Sequence, residues 1–246
     1  MKIIDVSHYQ DNIDWKTVRQ QDIDGVIIRA GYGNGNMDKK FPRNLGMVLE
    51  NDFPFLGIYW FSYSYTLDMA IREAEAVDSL IRPYQDRLNL GVYFDWEYDS
   101  MKYAKKHGMI PKKDYITSMN QFFCETIKDM GYISGYYVNE DYQKNWIDPS
   151  RLTNHRKWYA RYSSKARPTN AYLHQYTSKG KVKGINGYVD INKLLAPKTV
   201  YEVAMEVLEG KWGNGSTRKN KLESAGYDYR EVQNLVNNII TMQTLG

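Results

Sequence analysis

The chain has 246 residues, of which 42% are hydrophobic and 25% charged, and it carries a net charge of +4 at neutral pH. This balance is ordinary for a folded protein. No stretch approaches the roughly 20 apolar residues that a membrane span needs, and the charge is too mild to mark a nucleic-acid binder. The N-terminal Met1-Lys2-Ile3-Ile4-Asp5-Val6-Ser7 has no signal-peptide apolar run, so synthesis in the cytoplasm is expected, with any export by another route.

The single Cys124 admits no internal disulfide and reads as a buried bystander. His8, His107, His155 and His174 show no close metal-ligand spacing, so no metal or other cofactor is expected. The 22 Tyr and 6 Trp are a stronger signal, because such rings stack on the flat apolar faces of sugars and bases alike.

In chain order, short strand-like runs occupy Lys2–Ser7, Gly25–Ala30, Phe55–Ser62, Leu90–Glu97, Ile133–Asn139, Lys157–Tyr162 and Ala171–Thr177, with a weaker one at Tyr188–Leu194. Helical patterns fill Asp68–Ile81 and Lys113–Met130. Strands alternating with helices predict an α/β fold with a parallel sheet, and the number of strands predicts a closed (β/α) barrel. The later strands lie too close together for a full helix between each pair, so the barrel should be irregular. The loop Gly31-Tyr32-Gly33-Asn34-Gly35 lacks the spacing of a dinucleotide or phosphate loop and reads as part of an active site. Lys102, Lys105 and Lys106 read as a solvated face.

Composition changes after Ala196-Pro197-Lys198-Thr199, beyond which the pattern is purely helical. Short helices fit Val200–Glu209 and Thr217–Ala225 around the glycine-rich turn 210–215. A third opens on an Asp228/Glu231 capping pair, with Val232, Leu235, Val236, Ile239 and Ile240 on one apolar face. A three-helix unit this small more often binds than catalyses.

The most informative run is Leu90-Gly91-Val92-Tyr93-Phe94-Asp95-Trp96-Glu97. Alternation puts Gly91, Tyr93, Asp95 and Glu97 on one face and Val92, Phe94 and Trp96 on the other. Two carboxylates at the C-terminal end of a barrel strand lie where active sites form. They raise each other's pKa, so one can hold a proton near neutrality, the pairing that glycoside hydrolysis uses. Asp5 in the first strand and Asp190 in the last add two more acids, which would meet at one mouth because the first and last strands of a closed barrel are neighbours. A lone acid at a strand end commonly caps a loop; four at matching ends are harder to explain that way.

At this point the chain resembles a known family, glycoside hydrolase family 25, the lysozymes (muramidases) of many bacteriophages and some bacteria. The matching pieces are Asp5-Val6-Ser7-His8-Tyr9-Gln10, Ile28-Arg29-Ala30-Gly31-Tyr32-Gly33, Gly57-Ile58-Tyr59-Trp60-Phe61, Asp95-Trp96-Glu97, Trp158-Tyr159-Ala160-Arg161-Tyr162, His174-Gln175-Tyr176-Thr177 and Val189-Asp190-Ile191-Asn192, in the family's order. The resemblance implies a flattened barrel over residues 1–196 that cleaves the β-1,4 bond between N-acetylmuramic acid and N-acetylglucosamine in bacterial peptidoglycan. It implies Glu97 as general acid and Asp95 as nucleophile or as the carboxylate that orients the substrate's N-acetyl group. Asp5 and Asp190 would tune the cluster, and Tyr59, Tyr137 and Trp158 would line the sugar sites, although such aromatics also serve as barrel core.

Residues 197–246, read as linker and module, resemble a cell-wall-binding repeat of phage lysozymes through Glu209-Gly210-Lys211-Trp212-Gly213-Asn214-Gly215, Arg218-Lys219 and the segment Leu222–Tyr229. By matched position Trp212, Asn214, Gly215, Arg218 and Tyr229 would contact the wall, while Trp212 and Tyr229 could equally pack a minimal core. One copy gives little avidity, which self-association through the module would supply.

Two rivals remain. A chitinase pattern requires acids four and seven positions before Glu97, where Tyr93 and Leu90 stand instead. A non-catalytic glycan-binding barrel would be expected to lack the acid, and Glu97 is present.

Overall fold

The computed structural model describes residues 1–164, 168–195 and 198–244. The domain boundary expected at Ala196 and Pro197 lies outside the described residues. The strands are β1 (Lys2–Val6), β2 (Gly25–Tyr32), β3 (Asn36–Met37), β4 (Phe55–Phe61), β5 (Gly91–Asp95), β6 (Ser134–Asn139), β7 (Arg156–Ala160), β8 (Leu173–Gly180) and β9 (Val189–Leu194). Their order is β1-β9-β8-β7-β6-β5-β4-β2-β3, and a direct β1–β2 pairing closes the ring, leaving β3 outside it as the return arm of a hairpin. The irregular α/β barrel read from the sequence is therefore present.

Strands β1, β2 and β4 to β8 are parallel around the barrel, but β9 is antiparallel to both of its neighbours, β8 and β1. This reversal corrects the expectation of acids at matching strand ends: Asp190 stands near the start of its strand, not its end. Because β9 runs backwards, its start meets the end of β1, and Asp5 and Asp190 are register partners.

Alternation along the strands separates two cores. Val26, Ile28, Ile4, Val6, Val92, Phe94 and Trp96 pack outward in the main cluster, against helices that include α1 (Trp15–Arg19), α2 (Phe41–Glu50), α3 (Leu67–Ile81), α5 (Lys113–Asp129) and α6 (Glu140–Asn145). Ile3, Ile27, Leu90, Tyr93, Tyr137, Trp158, Tyr172 and Leu173 pack inward as the barrel floor. Regular β5 pairing stops at Asp95, but Glu97 keeps extended backbone (φ −128°, ψ −162°) before α4 (Tyr98–Lys106) begins. Cys124 is buried in α5 and donates its Sγ–H to the Gly135 carbonyl at 3.1 Å.

Three C-terminal helices, α7 (Val200–Leu208), α8 (Gly215–Ser224) and α9 (Tyr229–Thr244), share a separate core of Val200, Val203, Ala204, Val207, Leu222, Tyr227, Val232 and Val236. The apolar face expected on α9 ends early, since Ile240 is 44% exposed. The Asp228/Glu231 pair is only half a capping box. Asp228 accepts the Glu231 N–H at 3.0 Å, but the Asp228 N–H donates to Asn170 of the barrel at 2.8 Å, and Asn170 also donates to the Glu231 carboxylate. The Asn170 N–H reaches the Gly226 carbonyl and the Tyr201 N–H the Thr153 carbonyl. Thr153 precedes β7 and Asn170 precedes β8, so the helical unit docks where the parallel strands begin, at the end opposite the acids.

Gly135 on β6 makes the floor possible. A Cβ there would lie 2.4 Å from a Tyr93 ring carbon and 2.5 Å from the Arg156 carbonyl oxygen. Gly135→Ala is accordingly expected to cost about 1–3 kcal/mol, read as a lower denaturant midpoint; an unchanged midpoint would show that the floor yields freely.

Candidate active site

On the inner faces of β1, β2, β5 and β8 a polar group stands two residues beyond an apolar one, and these polar groups gather at one mouth. Asp5, Tyr59, Asp95, Glu97, Tyr137, Trp158 and Asp190 all line a single cleft of about 250 Å³, so the structure brings together every residue that the sequence nominated for the barrel site. Sequence reasoning missed Arg29, Gln175, Tyr9 and Tyr162, which line it too, and Asn192 directly beneath.

The base of the cleft is a chain of buried hydrogen bonds. The Tyr137 hydroxyl donates to Gln175 Oε1 at 2.9 Å, and Gln175 Nε2 donates to Asp5 Oδ2 at 3.1 Å. From the other side Trp158 Nε1 donates to Asn192 Oδ1 at 2.7 Å, and Asn192 Nδ2 donates to the same Asp5 oxygen at 2.8 Å. Each amide is thereby fixed in one orientation, and the aromatic floor is tied to the acid above it. The available signal was weak: Gln175 and Asn192 each stand two positions from an inward leucine, Leu173 and Leu194, where a buried amide needs a partner.

Arg29 brings a cation to the rim. Its Nε donates to Asp38 Oδ2 at 2.8 Å, and the same carboxylate takes the His8 N–H at 3.1 Å and the Lys40 N–H at 2.9 Å. Burial opposes the charge on Asp38, but the hydrogen bonds from Lys40, His8 and Arg29 outweigh it and hold the carboxyl below its usual range. Of residues 31–35, read as part of an active site, Gly31 and Tyr32 end β2 and 33–35 turn into β3; they sit beside the cleft rather than in its lining, with the Arg29 guanidinium over the Tyr32 ring at 5.6 Å.

A second scaffold fixes the Asp95-Trp96-Glu97 segment from behind. The Ser62 N–H donates to the Asp95 carbonyl at 2.8 Å, and Trp96 Nε1 donates to the Ser64 carbonyl at 2.8 Å. The same loop is anchored by the Tyr63 N–H, which donates to Glu73 Oε1 at 3.1 Å. Glu73 is buried in α3, and burial raises its pKa to about 8, so at neutral pH it stands there as a neutral acid.

The cluster's electrostatics follow from burial and from like charge. Burial, then the charge of Asp190, pushes Asp5 well above its usual range, against the pull of the Asn192 and Gln175 amides. Burial, then Glu97 and Asp5, does the same to Asp95. Burial lifts Glu97 to about 7 and Asp190 to about 6. Asp95 Oδ1 is buried with no hydrogen-bond partner among the described residues, and the carboxyl interacts with that of Glu97, which adds to burial in raising the proton affinity of Asp95, while Asp95 lowers that of Glu97 in turn. The result is a carboxylic acid that titrates near neutrality beside a second carboxyl group above an aromatic floor.

In the helical unit, Trp212 lines a shallow depression with Glu206, Lys211, Asn220 and Lys221, and its Nε1 donates to Glu206 at 3.1 Å. Trp212 also packs against the small core, edge-on to Tyr227 at 6.1 Å. Arg218 donates to the Gly213 carbonyl, Asn214 Oδ1 and Gln233 Oε1 at 2.9, 2.7 and 2.9 Å. Gly215 opens α8 at φ +55°, and Tyr229 packs on the small core.

Glu97 is held as an acid above its ordinary pKa of 4.5, so in that range the folded state binds more protons than the unfolded one. Its contribution to stability is fully present below about pH 4.5 and is lost as pH rises through about 7. Glu97→Gln is expected to melt with the native protein at acid pH and above it on the alkaline side of neutrality; melting curves that coincide at every pH would contradict this.

Comparison with known proteins adds two family matches. The model for glycosyl hydrolases family 25 matches residues 4–185, and that for the CW_7 repeat matches residues 201–240. A lysozyme of Streptococcus phage Cp-7 is 30% identical over 142 residues, covering 58% of this chain and 36% of the relative. The modular autolysin LytC of Streptococcus pneumoniae, solved with a synthetic peptidoglycan ligand, superposes with a TM-score of 0.67 at 30% identity over 78% of this chain and 46% of its own. A lysozyme of Streptomyces coelicolor shares the fold, with a TM-score of 0.66 at 20% identity over 79% of this chain and 91% of its own. The chain thus spans less than half the length of the autolysin and of the phage lysozyme.

Proposed function

Since this chain belongs to the glycosyl hydrolases family 25, we propose that it hydrolyses bacterial peptidoglycan at the β-1,4 bond between N-acetylmuramic acid and N-acetylglucosamine. The observation that carries this reading is the convergence of Asp5, Asp95, Glu97 and Asp190 on one cleft, with Glu97 lifted to about 7. In the proposed mechanism Glu97 gives its proton to the glycosidic oxygen as the bond to the leaving sugar breaks. Asp95, deeper and flanked by Arg29, meets the positive charge that grows on the anomeric carbon, either as nucleophile or by orienting the substrate's N-acetyl group. Asp5 and Asp190 add two more buried acids beside the pair, and burial together with the mutual repulsion of the carboxylates keeps protons on the cluster near neutral pH. Tyr59, Tyr137 and Trp158 form the wall on which a sugar face would rest; Trp158 meets the other two rings edge-on at 5.8 and 4.9 Å.

Digestion of purified peptidoglycan tests this directly. New reducing ends should be muramic acid, and Glu97→Gln should reduce their release by at least about a thousandfold, the scale of a lost general acid together with its field. Glucosamine ends would reassign the bond, and no product from the native protein would favour a non-catalytic glycan-binding barrel.

For residues 197–246 we propose wall binding that keeps the enzyme on its polymeric substrate, with Trp212 as the aromatic contact. The reading places the site of action at the cell wall. Glu97→Gln protein should be depleted from solution by excess cell walls, and adding Trp212→Ala should release it, whereas Trp212→Ala alone should leave turnover of soluble glycan fragments unchanged. A binding curve steeper than first order in protein would mark self-association through the module.

A further inference from the structure

Exposed tyrosines gather at the mouth of the barrel. Tyr9 follows β1, Tyr98 follows β5, Tyr162 follows β7 and Tyr188 precedes the reversed β9; these side chains are exposed, as is Tyr103 on α4 at 38%. One set of rings forms a connected track. Phe61 lines the cleft and meets Tyr63 at 5.3 Å between centroids; Tyr63 meets Tyr103 at 5.1 Å, and Tyr103 meets His107 at 4.1 Å. Tyr65 stacks on His107 at 5.0 Å with only 12° between planes. The track therefore begins inside the cleft and runs outward across the β4–α3 loop onto the surface of α4.

Core packing accounts for Tyr65, which rests against the main cluster, but not for the outer rings. Tyr103 and His107 are exposed, with the His107 Nδ1 at 2.9 Å from the Tyr103 carbonyl. A row of flat apolar faces with polar edges suits pyranose rings, whose C–H faces stack on aromatics while their hydroxyls need partners at the rim.

Helix α4 decides which part of a glycan would lie there. Asp99, Tyr103 and His107 follow one another at i, i+4 and i+8 and share a face. Tyr98 points the other way, edge-on to Tyr142 at 4.9 Å, with its hydroxyl donating to Asp141 at 3.0 Å. That second side is a separate groove shared by Glu97, Tyr98, Tyr162 and Lys144. If Glu97 protonates the leaving oxygen, the leaving half of the chain lies in the groove on its own side, and the half that is kept leaves across the track.

We propose that Phe61, Tyr63, Tyr103, His107 and Tyr65 form a distal platform for the non-reducing half of a glycan strand, beyond the sugar held at the acids. This rests on the hydrolase reading of the cleft. The platform makes the enzyme sensitive to strand length: a long strand reaches it and a short oligomer does not.

The test compares peptide-free glycan strands fractionated into long polymers and tetrasaccharides, with reducing ends counted. Tyr103→Ala is expected to raise KM for long strands roughly three- to tenfold, the range of one aromatic contact, with kcat and all tetrasaccharide kinetics unchanged. Tyr103→Phe, which keeps the ring, should behave as the native protein, and the melting temperature of both variants checks the fold. Equal KM for native and Tyr103→Ala protein on long strands would overturn the platform. So would a loss of the same size on both substrates, which would mean a disturbed cleft. A native protein that cleaves neither substrate would instead overturn the hydrolase reading and take the platform with it.

Discussion

The site depends on one oxygen. Asp5 Oδ2 receives two amide N–H groups, from Gln175 and Asn192, and those amides are locked by Tyr137 and Trp158. Burying several acids within one cleft is costly, because each loses water and repels the others. The amide pair offsets part of that cost at Asp5, and burial turns the rest of it into raised proton affinity on all four acids. The same aromatic rings that provide the hydrogen-bond anchors fill the barrel floor. Core and site are therefore one construction, and a change in the floor is felt at the acids.

That construction explains how much the sequence could reveal. On the inner face of the barrel the strands repeat an apolar residue followed two positions later by a polar one: Ile3 and Asp5, Ile27 and Arg29, Tyr93 and Asp95, Leu173 and Gln175. Period-two alternation and the placement of acids late in strands made the barrel and its carboxylates legible. The direction of β9 was not legible, because an alternating segment reads the same both ways; only closure against β1 sets it. Arg29 was passed over because its role comes from Asp38 on the far arm of a hairpin whose outer strand spans only Asn36–Met37. A two-residue strand leaves no periodic trace.

The C-terminal unit shows the opposite limit. Its helices were visible from their caps and spacing, yet its attachment was not. Asn170 takes the place that the Glu231 side chain would fill in a self-contained capping box, so a local sequence signature is completed by a residue 58 positions away. Nearby, Lys157 is buried with its ammonium donating to Gln143 at 3.0 Å, and burial lowers its pKa to about 8 despite the acids Glu231 and Asp228. A charged helix start seated over a buried lysine fixes the unit more firmly than a flexible linker would. Docking at the start of the parallel strands also keeps it clear of the mouth.

On the proposed functions, these two ends of the barrel would divide the work of holding a polymer. An exposed aromatic contributes a weak, fast contact, and one such contact near the acids would not hold a glycan strand through repeated cleavage. A second weak site on a rigid body adds an effective concentration instead of a new lock, provided that its geometry lets both sites engage one wall. Placing the helical unit opposite the mouth means that a single straight strand lying in the cleft does not reach it. Two such sites would then grip neighbouring strands of a cross-linked mesh, at a spacing that the Asn170 junction helps to set.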